Sequence, residues 1–283
     1  MKKTLFLNAF LFIALSCFSQ TEVIKLWPGE VPGEAEPKHE PVLYVAKNTG
    51  NNIRRITNIT DPQLTLYKPT KNANGAAIII SPGGGNKYLA INIEGHEVAA
   101  YFAARGYTAF VLEYRVPLNP QGAFQDIQRA VRIMRSRAGQ WNLKINKIGV
   151  MGFSAGGILS ARITTGFKNS SYPAIDKADS LSARPDFALL IYPGSLSTSD
   201  KTLIPELKPT EETPPVFIFS TGDDPINIPF TLGIALRELK LPFEFHVVPE
   251  GGHGYGLRKG NPAAEAWSSL ATHWLRKNIL HLE

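Results

Sequence analysis

Runs of consecutive apolar residues alternate with amphipathic stretches along most of the chain. We interpret as strands the runs AAIII, YTAFVLEY, KIGVMGF, FALLIY, PVFIF and FEFHVV. Strands that are apolar at successive positions are typical of a sheet buried on both faces. Between the runs, apolar residues recur at helical spacing in 94–106, 125–139, 154–165, 230–240 and 261–278. The alternation predicts the α/β class, with βαβ units in a mostly parallel sheet that helices cover on both faces.

The flanking segments predict a single domain preceded by an extended lead-in. Residues 20–50 contain many proline, glycine and glutamate residues, whereas 51–283 hold the domain itself. Short alternating segments within 52–70, around a proline, predict an antiparallel edge hairpin. Residues 194–214 are a polar, proline-bearing break in the alternation, which fits either a flap beside the site or a plain surface loop.

The N-terminus has the three parts of a secretory signal peptide. Lys2 and Lys3 precede an apolar run that ends in small residues, and the run is too short for a confident membrane span. Residues 1–19 are therefore the predicted signal, with cleavage after Ser19 and export to a bacterial periplasm or medium. A lipid anchor at Cys17 and a retained anchor helix are the weaker alternatives. Cys17 is the only cysteine, so we expect a mature protein without disulfides, thiol nucleophiles or cysteine metal sites.

Composition and charge narrow the possible partners. Apolar residues make up 43% and charged residues 19% of the chain, an ordinary globular balance, and the formal net charge is +6. The densest basic set is Arg129, Arg132, Arg135 and Arg137. We interpret it as a solvated helix face rather than a nucleic-acid surface, since no aromatic residues are interleaved with it.

The segment GFSAG, residues 152–156, lies between a predicted strand and a predicted helix. A strand that turns directly into a helix places its corner residue in a strained conformation, and small neighbours let the chains pass closely. Such a turn would raise the Ser154 hydroxyl above the sheet at a helix N-terminus. The alternative is a tight turn with a passive serine.

A serine nucleophile needs a base and a carboxylate that orients the base. His253, in the glycine-rich loop GGHGYG after a late strand, is the candidate base. The competing histidines lie in predicted helices, a strand, the lead-in or the tail: His39, His96, His246, His273 and His281. Asp224 in STGDDP is the preferred orienting acid and Asp223 the alternative, although both could instead cap a helix or close an Asx turn.

Backbone N–H groups are the expected donors to a developing oxyanion. Ala155 follows the candidate nucleophile directly, and the loop SPGGGN supplies Gly84 and Gly85 after an early strand. A phosphate cradle is the rival interpretation of the three glycines, but no Lys-Ser/Thr pair follows at the spacing of a phosphate-binding loop.

These motifs carry a family resemblance. Residues 76–279 resemble the α/β-hydrolase superfamily, with PGGG, GFSAGG, DDP and GGHG in its order. The stretches around PGGG and GFSAGG are similar to exported bacterial esterases of acetylxylan-esterase-like or feruloyl-esterase-like type. The resemblance implies an α/β-hydrolase fold, a triad of Ser154, Asp224 and His253, no metal or organic cofactor, and a plant cell-wall polysaccharide ester as substrate.

Two departures from the family pattern bear on the site. Pro82 stands where many esterases have histidine in HGGG, and INIP after Asp224 is one residue off the expected spacing, which keeps Asp223 open. Further along the glycine loop, four side chains are candidates for contact with a sugar, with an aromatic ring to stack on a pyranose: Asn86, Lys87, Tyr88 and Glu94. Asp126 and Arg115 are expected to form a structural ion pair.

The leading hypothesis is a serine carboxylic ester hydrolase that removes acetyl groups from a polysaccharide such as xylan. A feruloyl esterase and a general short-chain carboxylesterase are the nearest alternatives. A peptidase of the prolyl-oligopeptidase type is disfavoured because the chain has no room for a β-propeller. A carbohydrate-binding pseudo-enzyme is disfavoured by the intact serine, aspartate and histidine. The expected partner is an acylated carbohydrate, with no nucleic acid and no stable membrane span.

Overall fold

The computed structural model describes residues 22–34, 39–45, 52–226 and 228–282. The predicted signal peptide lies outside these ranges. The strands are β1 Val23–Lys25, β2 Val42–Val45, β3 Arg54–Thr57, β4 Gln63–Tyr67, β5 Ala77–Ser81, β6 Thr108–Glu113, β7 Ile148–Phe153, β8 Ala188–Ile191, β9 Val216–Thr221 and β10 Phe243–Val248. The helices are α1 Glu97–Ala103, α2 Pro120–Ser136, α3 Ser154–Gly166, α4 Phe230–Glu238 and α5 Pro262–Leu275, with short helical turns at Asn92–His96, Ala138–Trp141, Lys177–Ser180, Pro205–Leu207 and Arg276–Leu280.

Eight strands form one central sheet in the order β1-β4-β6-β5-β7-β8-β9-β10. The six strands from β6 to β10 in this order run parallel, whereas β1 and β4 pair antiparallel at one edge. In the register of the centre, Ile79 lies opposite both Phe110 and Val150. The predicted parallel sheet is confirmed, because strands that are apolar at every position are stable only when both faces are covered.

Helices cover both faces of the sheet and enclose two cores. Alternate residues of β5 enter different cores, since side chains of a strand point to opposite faces. Ile79 packs in the core shared with α2 and α3, while Ile78 and Ile80 pack in the core shared with α1 and α5. Across the described ranges, no helix combines the length and apolar character needed to cross a bilayer.

The first described residues of the predicted lead-in belong to the central sheet and its core. Strand β1 pairs with β4, where Ile24 lies opposite Leu64, and the Trp27 side chain is 2% exposed. The Trp27 indole also donates to the buried Asp126 carboxylate at 2.9 Å. A domain boundary at residue 51 therefore does not coincide with an edge of the core.

The predicted edge hairpin pairs differently from expectation. Strand β3 does not pair with β4 but with β2, in a separate two-stranded sheet where Tyr44 lies opposite Arg55. The other side of β3 bonds to the glycine-rich loop, since Ile56 and Leu89 exchange backbone hydrogen bonds of 3.0 and 2.7 Å. This small sheet therefore lies against the segment that was predicted to hold the oxyanion.

The basic face predicted on α2 is only partly solvated, so that interpretation was wrong for its first member. Arg129 is buried, and its guanidinium contacts the carboxylates of Asp176 at 2.5 Å and Asp179 at 2.9 Å. The expected ion pair of Arg115 with Asp126 is present at 2.9 Å, with both side chains buried. Because a buried guanidinium needs an anionic partner, these pairs fix α2 to its surroundings.

Candidate active site

Ser154 occupies the corner between β7 and α3, with a positive φ of 50°. Its neighbours must be small because the chains pass so closely. A methyl group on Gly152 would lie 2.0 Å from the Gly156 carbonyl oxygen, and one on Gly156 would lie 2.0 Å from the Ser81 carbonyl oxygen. Left-handed backbone at a non-glycine residue costs energy and persists only where its surroundings impose it. The predicted strand-to-helix corner is thus present, with the hydroxyl at the carboxyl edge of the sheet.

A continuous relay of hydrogen bonds runs through the three residues proposed as a triad. Ser154 Oγ lies 2.8 Å from His253 Nε2, and His253 Nδ1 lies 2.8 Å from Asp224 Oδ2. The Asp224 side chain is 3% exposed and that of His253 is 19% exposed. A buried acceptor at Nδ1 favours the tautomer that carries its proton there and leaves Nε2 free to accept the serine proton.

Asp223 and Asp224, the two candidate acids, make different contacts. The Asp223 carboxylate accepts the N–H groups of Gly252 at 2.8 Å and Gly251 at 3.2 Å, and these bonds lower its pKa. These two bonds to Asp223 hold the loop that carries His253 in place. Asp224 both contacts the imidazole and, through Oδ1, accepts the Ile226 N–H at 2.8 Å, so the expected Asx turn and the orienting contact belong to one residue.

The glycine-rich loop after β5 presents free backbone donors beside the serine. Gly84 and Gly85 have φ values of 143° and 63°, and within the described ranges their N–H groups donate no hydrogen bond. The Ala155 N–H lies in the first turn of α3, where helix N–H groups have no intrahelical acceptor. These are the three donors predicted for an oxyanion.

Other contacts anchor this loop in place of the histidine found in HGGG. The Pro82 carbonyl oxygen accepts the Tyr114 hydroxyl at 2.7 Å, and the Gly83 N–H donates to Glu94 Oε2 at 2.7 Å. The Gly83 carbonyl accepts the Ala90 N–H at 2.8 Å. The departure at Pro82 therefore leaves the loop held at its main chain.

A buried bridge that the sequence did not reveal connects this loop to the histidine loop. Tyr192 donates its hydroxyl to Glu94 Oε1 at 2.9 Å, and the same hydroxyl accepts the Gly256 N–H at 2.9 Å. The Tyr192 ring centroid lies 5.0 Å from that of His253. Burial raises the pKa of Glu94, while the bonds from Gly83 and Tyr192 act in the opposite direction. We name Glu94 and Tyr192 the Glu-Tyr bridge.

Ser154 and His253 line a cavity of about 580 Å³. Tyr88 and Lys87 lie in its lining, as does Glu94, whose two carboxylate oxygens are occupied by the contacts just described. Glu94 was expected to reach a sugar, but its bonds assign it to holding the site together. Asn86 is not part of the lining, and its carbonyl accepts the Leu118 N–H at 2.7 Å.

The polar segment 194–214 borders the site on the side of the acid. Residues 197–199 and Lys201 line a second cavity of about 610 Å³ together with Asp224 and Ile226. Ile226 also lines the first cavity, so it separates the two. The described residues include no group of three or more His, Cys, Asp or Glu side chains placed to hold a metal ion.

An acyl-transfer site consists of a nucleophile hydrogen-bonded to a base, a buried carboxylate hydrogen-bonded to that base, and free N–H donors nearby. The competing histidines lie elsewhere. His246 contacts Glu244 and His96 contacts the Tyr67 hydroxyl. The sequence order of serine, aspartate and histidine is therefore accompanied by the spatial arrangement that the chemistry requires.

Comparison with known proteins gives one family match and similarity to part of the length of curated relatives. The BD-FAE family model matches residues 64–183. The acetylxylan esterase of Xylanibacter ruminicola is 31% identical over 216 residues, which cover 69% of this chain and 44% of that protein. The chain spans less than half the length of the curated relatives that it matches.

Solved structures resemble the chain over nearly its whole length. The acetyl ester-xyloside bifunctional hydrolase from Caldicellulosiruptor lactoaceticus superimposes with a TM-score of 0.75 and 27% identity, covering 90% of this chain and 96% of that one. MGS-M1, an α/β hydrolase from a Medee basin deep-sea metagenome, gives a TM-score of 0.66 and 26% identity, covering 85% and 99%.

Proposed function

We propose that this chain, which has the fold of its α/β-hydrolase neighbours, is a serine carboxylic ester hydrolase that removes acetyl groups from a plant cell-wall polysaccharide such as xylan. The observation that carries this proposal is the relay from Ser154 through His253 to Asp224, with two bonds of 2.8 Å, at the edge of an open cavity.

The geometry supports a two-step acyl transfer. Ser154 Oγ attacks the acyl carbon while His253 Nε2 takes its proton, and the N–H groups of Gly84, Gly85 and Ala155 stabilise the oxyanion. The bond between the acyl carbon and the sugar oxygen then breaks, and the imidazolium gives its proton to that oxygen. Water attacks the acyl-enzyme with the same imidazole as base, releasing acetate and restoring the serine.

The substrate assignment draws on the relatives. Two similar proteins support this assignment by their names, one an acetylxylan esterase and the other an acetyl ester-xyloside bifunctional hydrolase. The cavity of about 580 Å³ lies within the range that holds small ligands. An acetyl group on one sugar of a chain is the substrate that we assign, with a feruloyl ester as the competing acyl group.

The experiment is the measurement of acetate released from acetylated xylan by the purified chain and by Ser154→Ala. Ser136→Ala, an exposed serine at the end of α2, is the matched control, and circular dichroism reports whether each variant is folded. We expect release by the wild type and the control only. Hydrolysis of 4-nitrophenyl acetate without release from xylan would contradict the substrate, and release of ferulate in preference to acetate would contradict the acyl group. Equal release by Ser154→Ala would contradict the mechanism.

Export is a separate part of the proposal. We infer that residues 1–19 direct the chain across the bacterial inner membrane, because a basic start, an apolar run and small residues at the cleavage site occur in that order. N-terminal sequencing of the protein recovered from periplasm or medium tests this, with a mature start near residue 20 expected.

A further inference from the structure

The catalytic cavity contains more positive charge than its own carboxylates neutralise. Arg55 and Lys87 both contribute to its lining. The carboxylate in the same lining belongs to Glu94, and its two oxygens are bonded to Gly83 and Tyr192. Two cationic side chains therefore line a cavity in which the Glu94 carboxylate is already hydrogen-bonded to other groups.

Within the described ranges, the half-buried Arg55 has no carboxylate partner. Its guanidinium lies over the Tyr88 ring, 4.3 Å from the ring centroid. Its Nε is buried and has no hydrogen-bond partner in the part of the chain that the structure describes. Arg115 and Arg129, in contrast, each contact carboxylates. A buried donor without a partner is costly in a folded protein, which suggests that a ligand supplies the missing acceptor.

The two cations are held in a fixed position relative to the proposed oxyanion donors. Arg55 lies on β3, whose neighbour Ile56 exchanges backbone bonds with Leu89. The Thr57 hydroxyl donates to the Lys87 carbonyl at 2.6 Å. The Lys87 N–H in turn donates to the Gly84 carbonyl at 3.1 Å. An anion bound by these side chains would be positioned relative to the ester at the serine.

We propose that Arg55 and Lys87 form a carboxylate-binding subsite that takes a uronic acid residue of the acylated carbohydrate. The inference rests on the proposed function, because it specifies the sugar beside the ester. A guanidinium matches a carboxylate with two parallel N–H donors, and an ammonium adds a point charge. The class of substrate is therefore an acetylated polysaccharide that carries uronic acid branches, and the subsite acts on binding rather than on the chemical step.

The experiment compares acetylated xylo-oligosaccharides of equal length with and without one glucuronic acid branch. We expect the wild type to prefer the acidic substrate by about tenfold in kcat/KM, because this is the gain in affinity that one charge-assisted hydrogen-bonded pair contributes. The difference should lie in KM. The preference should decrease as salt is raised, because a half-exposed ion pair is screened.

Arg55→Gln should bring the ratio of the two kcat/KM values close to one, whereas Arg55→Lys should retain part of the preference. Arg54→Gln is the matched control: it removes the same charge from the neighbouring position of β3, which is exposed and outside the cavity lining. Its ratio should equal that of the wild type. Lys87→Gln should lower the ratio by a smaller factor than Arg55→Gln.

Separate outcomes refute the subsite and the proposed function. Equal kcat/KM for both oligosaccharides in the wild type would overturn the subsite and leave the esterase proposal intact. No acetate from either would overturn the esterase proposal itself. A preference for 4-nitrophenyl succinate over 4-nitrophenyl acetate, without any preference between the oligosaccharides, would place the carboxylate on the acyl side and overturn the uronic acid assignment.

Discussion

The Glu-Tyr bridge should control both the stability and the rate of this protein, and Tyr192→Phe tests it. The substitution removes one oxygen and keeps the ring that contacts His253 and Tyr255. That oxygen donates to Glu94 and accepts from Gly256, each at 2.9 Å, and all of these groups are buried or nearly so. The change therefore leaves one buried acceptor and one buried N–H without partners.

The magnitude follows from the cost of those two groups. A buried polar group that loses its partner costs about 1–3 kcal/mol, so we expect Tyr192→Phe to lower the free energy of unfolding by roughly 2–5 kcal/mol. The bridge joins the loop of Gly83 to the loop of His253, and misplacing reacting groups by about 1 Å can cost about a hundredfold in rate. We expect kcat on 4-nitrophenyl acetate to decrease by about tenfold or more, with a smaller change in KM because Tyr192 is not part of the cavity lining.

Urea denaturation and steady-state kinetics measure the two effects. Tyr107→Phe is the matched control, since this buried tyrosine has a hydroxyl without a hydrogen-bond partner in the described ranges. Removing that hydroxyl should change neither property by much. If Tyr192→Phe and Tyr107→Phe show the same free energy of unfolding and the same kcat, the bridge does not couple the loops and the reasoning is refuted.

Three further changes test the oxyanion loop, the acid and an ion pair. Gly84→Ala places a methyl group 1.9 Å from a carbonyl oxygen of the same loop, so kcat on 4-nitrophenyl acetate should decrease by about a hundredfold. Gly29→Ala, with nothing within 4 Å of the new methyl, should not change it; comparable rates in the two variants would contradict the loop's role. Asp224→Asn should lower kcat by about ten-thousandfold, because the amide favours the wrong tautomer of the imidazole, and a loss below tenfold would refute its orienting role. The bond from Arg129 lowers the pKa of Asp176 below its usual value of 3.8, so its contribution to stability is full above that pH and is lost as the pH falls through the lowered pKa. The stability difference between wild type and Asp176→Asn should vanish in that acidic range, and a difference that grew on acidification would contradict the assignment.

The parts of the fold and site that sequence could predict are those set by neighbouring residues. Strands β5, β7 and β9 were recognisable because each contains a run of consecutive apolar residues, and every position in them is buried. The corner at Ser154 was recognisable because close contacts leave room only for glycine at Gly152 and Gly156. These contacts are with residues a few positions away or on the adjacent strand. Local constraints of this kind leave a readable pattern in the sequence.

The parts that could not be predicted depend on partners distant along the chain. Tyr192 lies 98 residues from Glu94, and no local pattern distinguishes it from any other tyrosine after a strand. Asp176 lies 47 residues from Arg129, so the ion pair of this buried arginine was interpreted as a solvated face. The pairing of β3 was misassigned because strands of four residues leave register and partner open until the tertiary structure forms.

Covalent capture at Ser154 tests the central claim most directly. We would incubate the wild type and Ser154→Ala with paraoxon, digest both and locate the diethylphosphoryl group by mass spectrometry while following 4-nitrophenyl acetate hydrolysis. We expect one modification, on the peptide that contains Ser154, with activity lost in proportion to it and no modification in the variant. Modification of the variant to the same extent, or full activity in a protein completely modified at Ser154, would contradict the claim that this serine is the nucleophile.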